Sequence, residues 1–141
     1  MPFVHQRRIR FQDADPAGIV FFGHVLGFCH EAYEELLCAE GLPIERLLAE
    51  GLGYPLRHAE VDFLAPMRVG VVVAIAVAVA KVGGSSFRVE YVVRDQAGLE
   101  LARAATVHVT VDRAAMKSAP LPADLRALLE RHLRAGDKNI S

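Results

Sequence analysis

Two aspartates, Asp13 and Asp15, stand immediately before a Pro-Ala-Gly turn, and a helical pattern begins a few residues later. Pro16 lacks a backbone donor and Gly18 allows unusual backbone angles, so the preceding strand should end here. A helix start offers unpaired N–H groups and the positive end of the helix dipole. Such donors can hold a carbonyl oxygen while an adjacent carboxylate attacks the carbonyl or deprotonates a water. The stretch therefore contains the parts for acyl transfer without a serine or cysteine nucleophile.

The residues leave structural alternatives open. Aspartates commonly bond to the backbone of tight turns, so Asp13 and Asp15 also suit a purely structural role. Glu31, Glu34 and Glu35 lie on the polar side of the helix, where solvent or another subunit is expected to face them. The histidines outside this region are scattered without metal-ligand spacing, namely His5, His58, His108 and His132. No metal is therefore expected.

Hydrophobic periodicity predicts the elements that must position the two aspartates. Residues 3–12 are expected to form a strand, residues 23–40 a long helix ended by Gly41, and residues 43–50 a short helix. The apolar stripe of the long helix consists of Val25, Cys29, Ala32, Leu36 and Ala39, flanked by Phe28, Tyr33 and Leu37. This stripe predicts one buried face.

Nearly all of residues 54–111 are typical of strands. The expected strands cover 56–64, 70–82, 86–94 and 99–111, and short turns between them favour antiparallel pairing. A last helix is expected over 122–133, and a polar tail over 135–141. One apolar helix must pack on one face of the sheet. The order predicts a single α+β domain over residues 1–134, in which an antiparallel sheet of about five strands wraps around one long central helix.

Composition narrows the functional classes. The chain has 141 residues, of which 52% are hydrophobic, and a net charge of −1, so neither disorder nor a nucleic-acid surface is expected. The surplus of apolar residues suits contacts between subunits. No signal peptide follows the N-terminal charges, and the apolar run 71–80 is too short to span a bilayer. Cys29 and Cys38 are expected to be reduced and buried, as in a cytoplasmic protein.

Three stretches carry a resemblance to known enzymes. D-A-D-P-A-G-I-V-F-F at 13–22 closely resembles the signature of 4-hydroxybenzoyl-CoA thioesterases. V-L-G-F-C-H-E-A-Y-E at 25–34 and H-A-E-V-D-F-L-A-P at 58–66 resemble the 1,4-dihydroxy-2-naphthoyl-CoA thioesterases of quinone biosynthesis. The resemblance covers roughly residues 8–112. It implies the hot-dog fold, hydrolysis of an aromatic acyl-CoA without a cofactor beyond the coenzyme A of the substrate, and dimers that pair again into tetramers.

The resemblance assigns the catalytic roles. It makes Asp15 the catalytic carboxylate, either as nucleophile or as general base, and the backbone N–H of Phe22, with Gly23, the oxyanion donor. His24 is expected to orient Asp15 or the attacking water. The family often has tyrosine where Phe22 stands, so a side-chain hydroxyl is missing there, although the backbone donor needs none.

Binding roles follow from the same resemblance. The acyl group is expected to contact Gly18, Val20, Gly23, His30 and Glu31. His30 stands where the 4-hydroxybenzoyl enzymes have an aspartate, whereas Cys-His-Glu at 29–31 matches the naphthoyl type. The coenzyme A phosphates are expected to contact Ser86, Arg88 and Arg94, although the 83–87 region lacks the family's basic residue.

Three alternative functions remain open. The first is a thioesterase for short or medium aliphatic acyl-CoA, or a hydratase, although Asp-Pro-Ala-Gly argues against a hydratase. The second is the thioesterase branch with a mid-helix carboxylate, but its His-Gly-Gly turn is missing from the sequence. The third is a non-catalytic protein that binds acyl-CoA.

Overall fold

The computed structural model describes residues 2–134, so the predicted polar tail at 135–141 lies outside the described residues. A 3₁₀ turn covers Phe11–Asp13. The helices are α1 (His24–Ala39), α2 (Ile44–Ala49) and α3 (Ala123–Arg131). The strands are β1 (Phe3–Arg8), β2 (Leu52–Gly53), β3 (Leu56–Phe63), β4 (Val72–Val82), β5 (Ser86–Arg94), β6 (Glu100–Val109), β7 (Val111–Asp112) and β8 (Lys117–Ser118).

Five strands form one antiparallel sheet in the order β1-β4-β5-β6-β3. Alternate side chains of β4 and β5 are buried and join the apolar side of α1 in a single core. The predicted α+β class and the sheet around one long helix are therefore confirmed. Within residues 2–134, no helix is both long and apolar enough to cross a bilayer.

The predicted boundaries hold where local periodicity is strong. β5 matches the predicted strand 86–94 at both ends, and α1 is one residue shorter at each end than predicted. The predicted strand 3–12 is wrong beyond Arg8, because residues 11–13 form the 3₁₀ turn. There the Asp13 carboxylate accepts the backbone N–H of Arg10 at 2.8 Å, which folds the chain back.

The predicted strand 99–111 is interrupted near its end. Thr110 is fully buried and its N–H donates to the Ser85 carbonyl at 2.7 Å, after which the chain leaves the main sheet. β7 pairs instead with β2 and β8 in a small three-stranded sheet. Strands of two residues are too short to show a hydrophobic period, so this small sheet was not predicted from the sequence.

The apolar stripe of α1 ends earlier than predicted. Cys29 is buried as expected, but Cys38 and Ala39 are exposed. The reason is the helix end: Gly41 has φ +77° and the Leu42 N–H donates to the Leu37 carbonyl at 2.9 Å. This left-handed turn folds the buried Leu42 back onto the core, in place of a further helical residue.

Candidate active site

The Asp-Pro-Ala-Gly stretch forms the tip of a short hairpin. The Asp15 N–H donates to the Ile19 carbonyl at 2.9 Å, and the Gly18 N–H donates to the Asp15 carbonyl at 3.0 Å. Gly18 has φ +80°, which favours glycine at this turn. The Asp15 Oδ1 atom accepts the Ala17 N–H at 2.8 Å. Within residues 2–134 the Oδ2 atom accepts no hydrogen bond, so one carboxylate oxygen is available for chemistry.

This hairpin places Asp15 beside the start of α1. The Phe21 N–H donates to the Asp13 carbonyl at 3.0 Å, and the helix follows with Gly23 as its N-cap. Extended residues advance by about 3.3 Å each, so Asp15 lies roughly 7 Å along the hairpin from the Asp13–Phe21 pair. The acid of the predicted chemistry therefore lies on the hairpin that leads into α1, and its catalytic role stays a prediction.

The helix start has unpaired donors. The His24 N–H donates to the Phe21 carbonyl at 2.9 Å and the Val25 N–H to the Phe22 carbonyl at 3.3 Å. In the part of the chain that the structure describes, the N–H groups of Phe22 and Gly23 have no protein acceptor. A Cβ on Gly23 would lie 2.9 Å from the Phe21 ring, so the close approach of this ring favours glycine. These free N–H groups are suited to bind an oxyanion.

An apolar groove of about 390 Å³ opens at the same place. One wall is the returning strand of the hairpin with the first turn of α1, and the other is the segment that follows β3. The lining residues are Ile19, Val20, Phe22, Val25, Phe63, Leu64, Ala65, Pro66 and Met67. The rings of Phe22 and Phe63 meet edge to face, with centroids 6.4 Å apart. The groove can therefore accept an apolar, planar group next to the free N–H groups.

The far wall of the groove, residues 63–67, was not predicted from the sequence to have a functional role. The Val20 N–H donates to the Met67 carbonyl at 2.8 Å, and the Val69 N–H donates to the Gly18 carbonyl at 3.3 Å. These bonds hold residues 63–67 against the hairpin. Part of this wall lies in the second half of the 58–66 stretch, which resembles the naphthoyl-CoA thioesterases. Its side chains are apolar and contain no catalytic group, so the sequence did not indicate their place in the groove.

Asp13 has a different environment from Asp15. It is buried, and its Oδ2 atom accepts hydrogen bonds from the Arg7 side chain at 2.7 Å and from the Arg10 N–H at 2.8 Å. Burial alone would raise the pKa of Asp13, but these hydrogen bonds and the charge of Arg7 bring it below its ordinary value. The carboxylate of Asp13 is thus held by the side chain of Arg7, whereas that of Asp15 bonds only the Ala17 N–H among the described residues.

The histidine next to the helix start is exposed. The ring of His24 packs edge-on against Phe21, with centroids 5.7 Å apart. No hydrogen bond joins His24 to Asp15 within residues 2–134. A role for His24 in orienting Asp15 stays a prediction.

His30 and Glu31 lie outside the groove of a single chain. His30 is exposed, and its ring centroid lies 5.6 Å from that of Tyr33. The Glu31 Oε2 atom lies 2.8 Å from His5 Nε2 and 3.2 Å from Arg7 Nε. Contact of either residue with a substrate ring stays a prediction, whereas Val20, predicted from the sequence, does line the groove.

The residues predicted to bind coenzyme A lie on β5. Arg88 and Arg94 line a cleft of about 440 Å³ on the sheet face that points away from α1. This cleft is larger than the groove, but its cations are paired: Arg88 with Glu60 and Glu90, and Arg94 with Glu100. Ser86 is half-buried and its carbonyl accepts the Gly83 N–H at 2.7 Å. Phosphate binding by these residues stays a prediction.

Comparisons with known proteins identify the family of this chain. The family model of the thioesterase-like superfamily matches residues 9–129. A 1,4-dihydroxy-2-naphthoyl-CoA hydrolase from Nostoc punctiforme is 39% identical over 135 residues, which cover 95% of this chain and 90% of that protein.

Solved structures give the same result. The crystal structure of a 1,4-dihydroxy-2-naphthoyl-CoA thioesterase from Synechocystis superposes with a TM-score of 0.87 at 32% identity, covering 92% of this chain and 96% of that one. A gentisyl-coenzyme A thioesterase superposes with a TM-score of 0.80 at 28% identity, covering 87% and 98%. The resemblance and the hot-dog fold predicted from the sequence are thus confirmed, and this chain belongs to the thioesterase-like superfamily.

Proposed function

We propose that this chain hydrolyses an aromatic acyl-CoA, with a hydroxybenzoyl- or dihydroxynaphthoyl-type acyl group, to the free acid and coenzyme A. The observation that carries the proposal is that Asp15, with one carboxylate oxygen free of hydrogen bonds in the described residues, lies on the hairpin that leads into the unpaired N–H groups of Phe22 and Gly23. An apolar groove begins at the same helix start. The similarity of the chain to 1,4-dihydroxy-2-naphthoyl-CoA hydrolases supports an aromatic acyl group in the substrate.

The reaction uses only groups of this chain, water and the substrate. The thioester oxygen accepts hydrogen bonds from the Phe22 and Gly23 N–H groups, which stabilise the negative charge that develops on it. In one route the Asp15 carboxylate attacks the carbonyl carbon and expels the thiolate, and water then hydrolyses the mixed anhydride. In the other route Asp15 takes a proton from the water that attacks the carbonyl carbon, the tetrahedral intermediate expels the thiolate, and the thiolate takes up the proton from Asp15. Both routes consume one water and need no cofactor.

Labelled water separates the two routes. In a single turnover in H₂¹⁸O, the anhydride route can place ¹⁸O in the Asp15 carboxylate, since water can attack either carbonyl. The general-base route places ¹⁸O only in the product acid. Mass spectrometry of the peptide that contains Asp15 detects this label, and ¹⁸O in that peptide establishes the anhydride route.

The shape and chemistry of the groove predict selectivity among acyl groups. Thiol release should be fastest with hydroxylated aromatic acyl-CoAs, with kcat/KM at least about tenfold above that for straight aliphatic chains, a ratio that a shaped apolar pocket can reach. A panel of aromatic and aliphatic acyl-CoAs with thiol detection measures this. A preference for short or medium aliphatic chains would contradict the aromatic class, and tight binding without thiol release would indicate a binding protein instead.

A second copy of the chain completes the site in this proposal. Within residues 2–134, β3 is an edge strand that pairs only with β6, and seven of its eight residues are exposed. Its exposed apolar side chains include Phe63, which lines the groove at 54% exposure. An open, partly apolar edge readily pairs with another strand. Antiparallel pairing of two β3 strands would join two sheets and cover the open side of the groove.

Solution measurements test this assembly. We expect a mass of at least two chains, consistent with the dimers and tetramers expected from the resemblance. Hydrogen exchange should show slow exchange at those β3 amides that point away from β6. The corresponding outward amides of β1, the other edge strand, serve as the control and should exchange quickly. A fully active species of one chain would contradict the proposal.

The cellular location remains a prediction. Cys29 and Cys38 are free thiols, as expected for a cytoplasmic protein.

Among residues 2–134, no group of three or more His, Cys, Asp or Glu side chains is arranged to hold a metal ion.

A further inference from the structure

Arg7, on β1, contacts both α1 and Asp13, which lies at the start of the hairpin. The side chain of Arg7 is 17% exposed, and its guanidinium carbon lies 4.1 Å from the centroid of the Phe28 ring on α1. A guanidinium over an aromatic face gains a favourable electrostatic contact and loses rotational freedom. Arg7 is therefore held in one orientation by packing, before its ion pairs are considered.

The guanidinium of Arg7 bonds two carboxylates from different parts of the chain. Its Nη1 atom donates to Asp13 Oδ2 at 2.7 Å, and its Nε atom donates to Glu31 Oε1 at 3.3 Å. Glu31 is held from its other side by His5 Nε2 at 2.8 Å. A rigid fork of N–H donors suits such a bridge, whereas the single ammonium of a lysine does not.

Each carboxylate that Arg7 holds is rigidly connected to one half of the candidate site. Asp13 lies two residues before Asp15, and its carbonyl accepts the Phe21 N–H at 3.0 Å. Glu31 lies on α1, two turns after the free donors at the helix start. Besides the backbone of the hairpin, the Arg7 side chain therefore forms a second connection between the turn that contains Asp13 and α1, and it contacts neither Asp15 nor the free N–H groups.

We propose that Arg7 is a positioning residue: by binding Asp13 and Glu31 on one guanidinium, it sets the place of Asp15 relative to the free N–H groups of α1. The inference rests on the proposed thioesterase function. It assigns Glu31 a role in holding the site together, which differs from the predicted contact with the substrate ring. A displacement of about 1 Å in a catalytic group commonly costs about 100-fold in rate.

The first experiment measures kcat and KM for Arg7→Gln and Arg7→Lys with an aromatic acyl-CoA. We expect Arg7→Gln to lower kcat by about 10- to 100-fold with KM changed by less than about threefold, because alignment and not substrate binding is lost. Arg7→Lys should recover only part of the rate, since it cannot hold both carboxylates.

Arg131→Gln is the matched control. Arg131 also binds a glutamate, Glu40, with N–O distances of 3.1 and 2.7 Å, but Glu40 directly follows α1 at the end opposite to the free N–H groups. This variant removes an ion pair between elements without touching the hairpin, so its kcat should equal that of the unaltered chain. All variants are assayed well below their melting temperatures, where each is folded.

The second experiment separates positioning from a general loss of structure. In an Asp15→Asn background, Arg7→Gln should have almost no further effect on kcat, because the two changes act through the same group. NMR should also show shifted amide resonances of Ala17, Phe22 and Gly23 in Arg7→Gln but not in Arg131→Gln. This spectroscopic measurement does not require activity.

Several results would overturn the inference. One is an Arg7→Gln variant with normal kcat and unchanged amide resonances. Another is an equal loss of rate from Arg7→Gln with and without Asp15, and a third is a loss confined to KM. If instead Asp15→Asn is as active as the unaltered chain, the proposed function fails, and the amide resonances still report whether Arg7 fixes the loop against the helix.

Discussion

Replacing Asp15 with asparagine is expected to lower kcat for thioester hydrolysis by at least about 100-fold, the usual loss for a positioned base or nucleophile. Asparagine preserves the size of the side chain, and its amide oxygen can still accept the Ala17 N–H that Asp15 binds at 2.8 Å. The turn should therefore persist, while the negative charge is lost. Steady-state rates with an aromatic acyl-CoA measure the effect, and the melting temperature checks the fold.

The chain contains a closely matched control for this substitution. Asp95 begins a second Asp-x-Ala-Gly turn, in which its Oδ1 atom accepts the Ala97 N–H at 2.9 Å and its carbonyl accepts the Gly98 N–H at 3.1 Å. Gly98 has φ +90°, close to the +80° of Gly18. Asp95→Asn makes the same chemical change in the same turn, away from the helix start, so kcat should stay within about twofold.

The comparison of the two turns decides the role of Asp15. If both substitutions lowered kcat equally, the aspartates would act as turn residues and Asp15 would have no chemical role. If neither did, the catalytic carboxylate would have to lie elsewhere, and the proposed mechanism would be wrong.

A large effect of pH on stability is expected from a histidine in the core. His108 is fully buried, and its ring stacks on Phe87 and on Tyr33 with centroid distances of 4.8 and 4.5 Å. Its Nε2 atom lies 3.0 Å from the hydroxyl of Thr106, which also bonds Tyr91 at 2.9 Å. Protonation would place an uncompensated charge between two aromatic rings.

Burial lowers the pKa of His108 to about 4 from its ordinary value of 6.5. The unfolded chain therefore takes up this proton at a higher pH than the folded chain. Above pH 6.5 the neutral His108 ring makes its full contribution to the free energy of unfolding. As the pH falls from 6.5 towards 4, the free energy of unfolding declines by as much as about 3 kcal/mol. Urea unfolding at several pH values measures this decline.

His108→Phe isolates the contribution of this one group. Phenylalanine keeps the stacking and the burial but does not titrate, and Thr106 retains Tyr91 as a partner. The difference in stability between the two proteins should change with pH only between about 6.5 and 4, while the carboxylates contribute equally to both. The same pH dependence in both proteins would show that His108 does not take up a proton on unfolding.

Elements with a clear local period could be predicted from the sequence. β5 alternates buried and half-buried residues between two turns, and both of its ends were predicted correctly. Residues 11–13 could not be predicted in the same way, because their 3₁₀ turn depends on Asp13 reaching Arg10 and Arg7. Phe11 reads as a strand residue, yet it is 87% exposed.

The Asp-Pro-Ala-Gly turn and the helix that follows it were predicted from the sequence, but the difference between the two aspartates was not. Asp13 and Asp15 have the same chemistry and flank one alanine, and only the packing of Arg7 shows that the first is paired within the chain. Similarly, Arg88 was predicted to contact phosphate, and its ion pair with Glu60, 28 residues away, is visible only in the tertiary structure.

The sequence by itself determined the order of the three helices and the five strands of the main sheet, the hot-dog fold and the position of Asp15 before a helix, because each is encoded in neighbouring residues. The tertiary structure decided which aspartate keeps a free oxygen and which segment forms the far wall of the groove. It also decided that Arg7 connects the hairpin to α1. These features depend on contacts between residues far apart along the chain, which local periodicity does not contain.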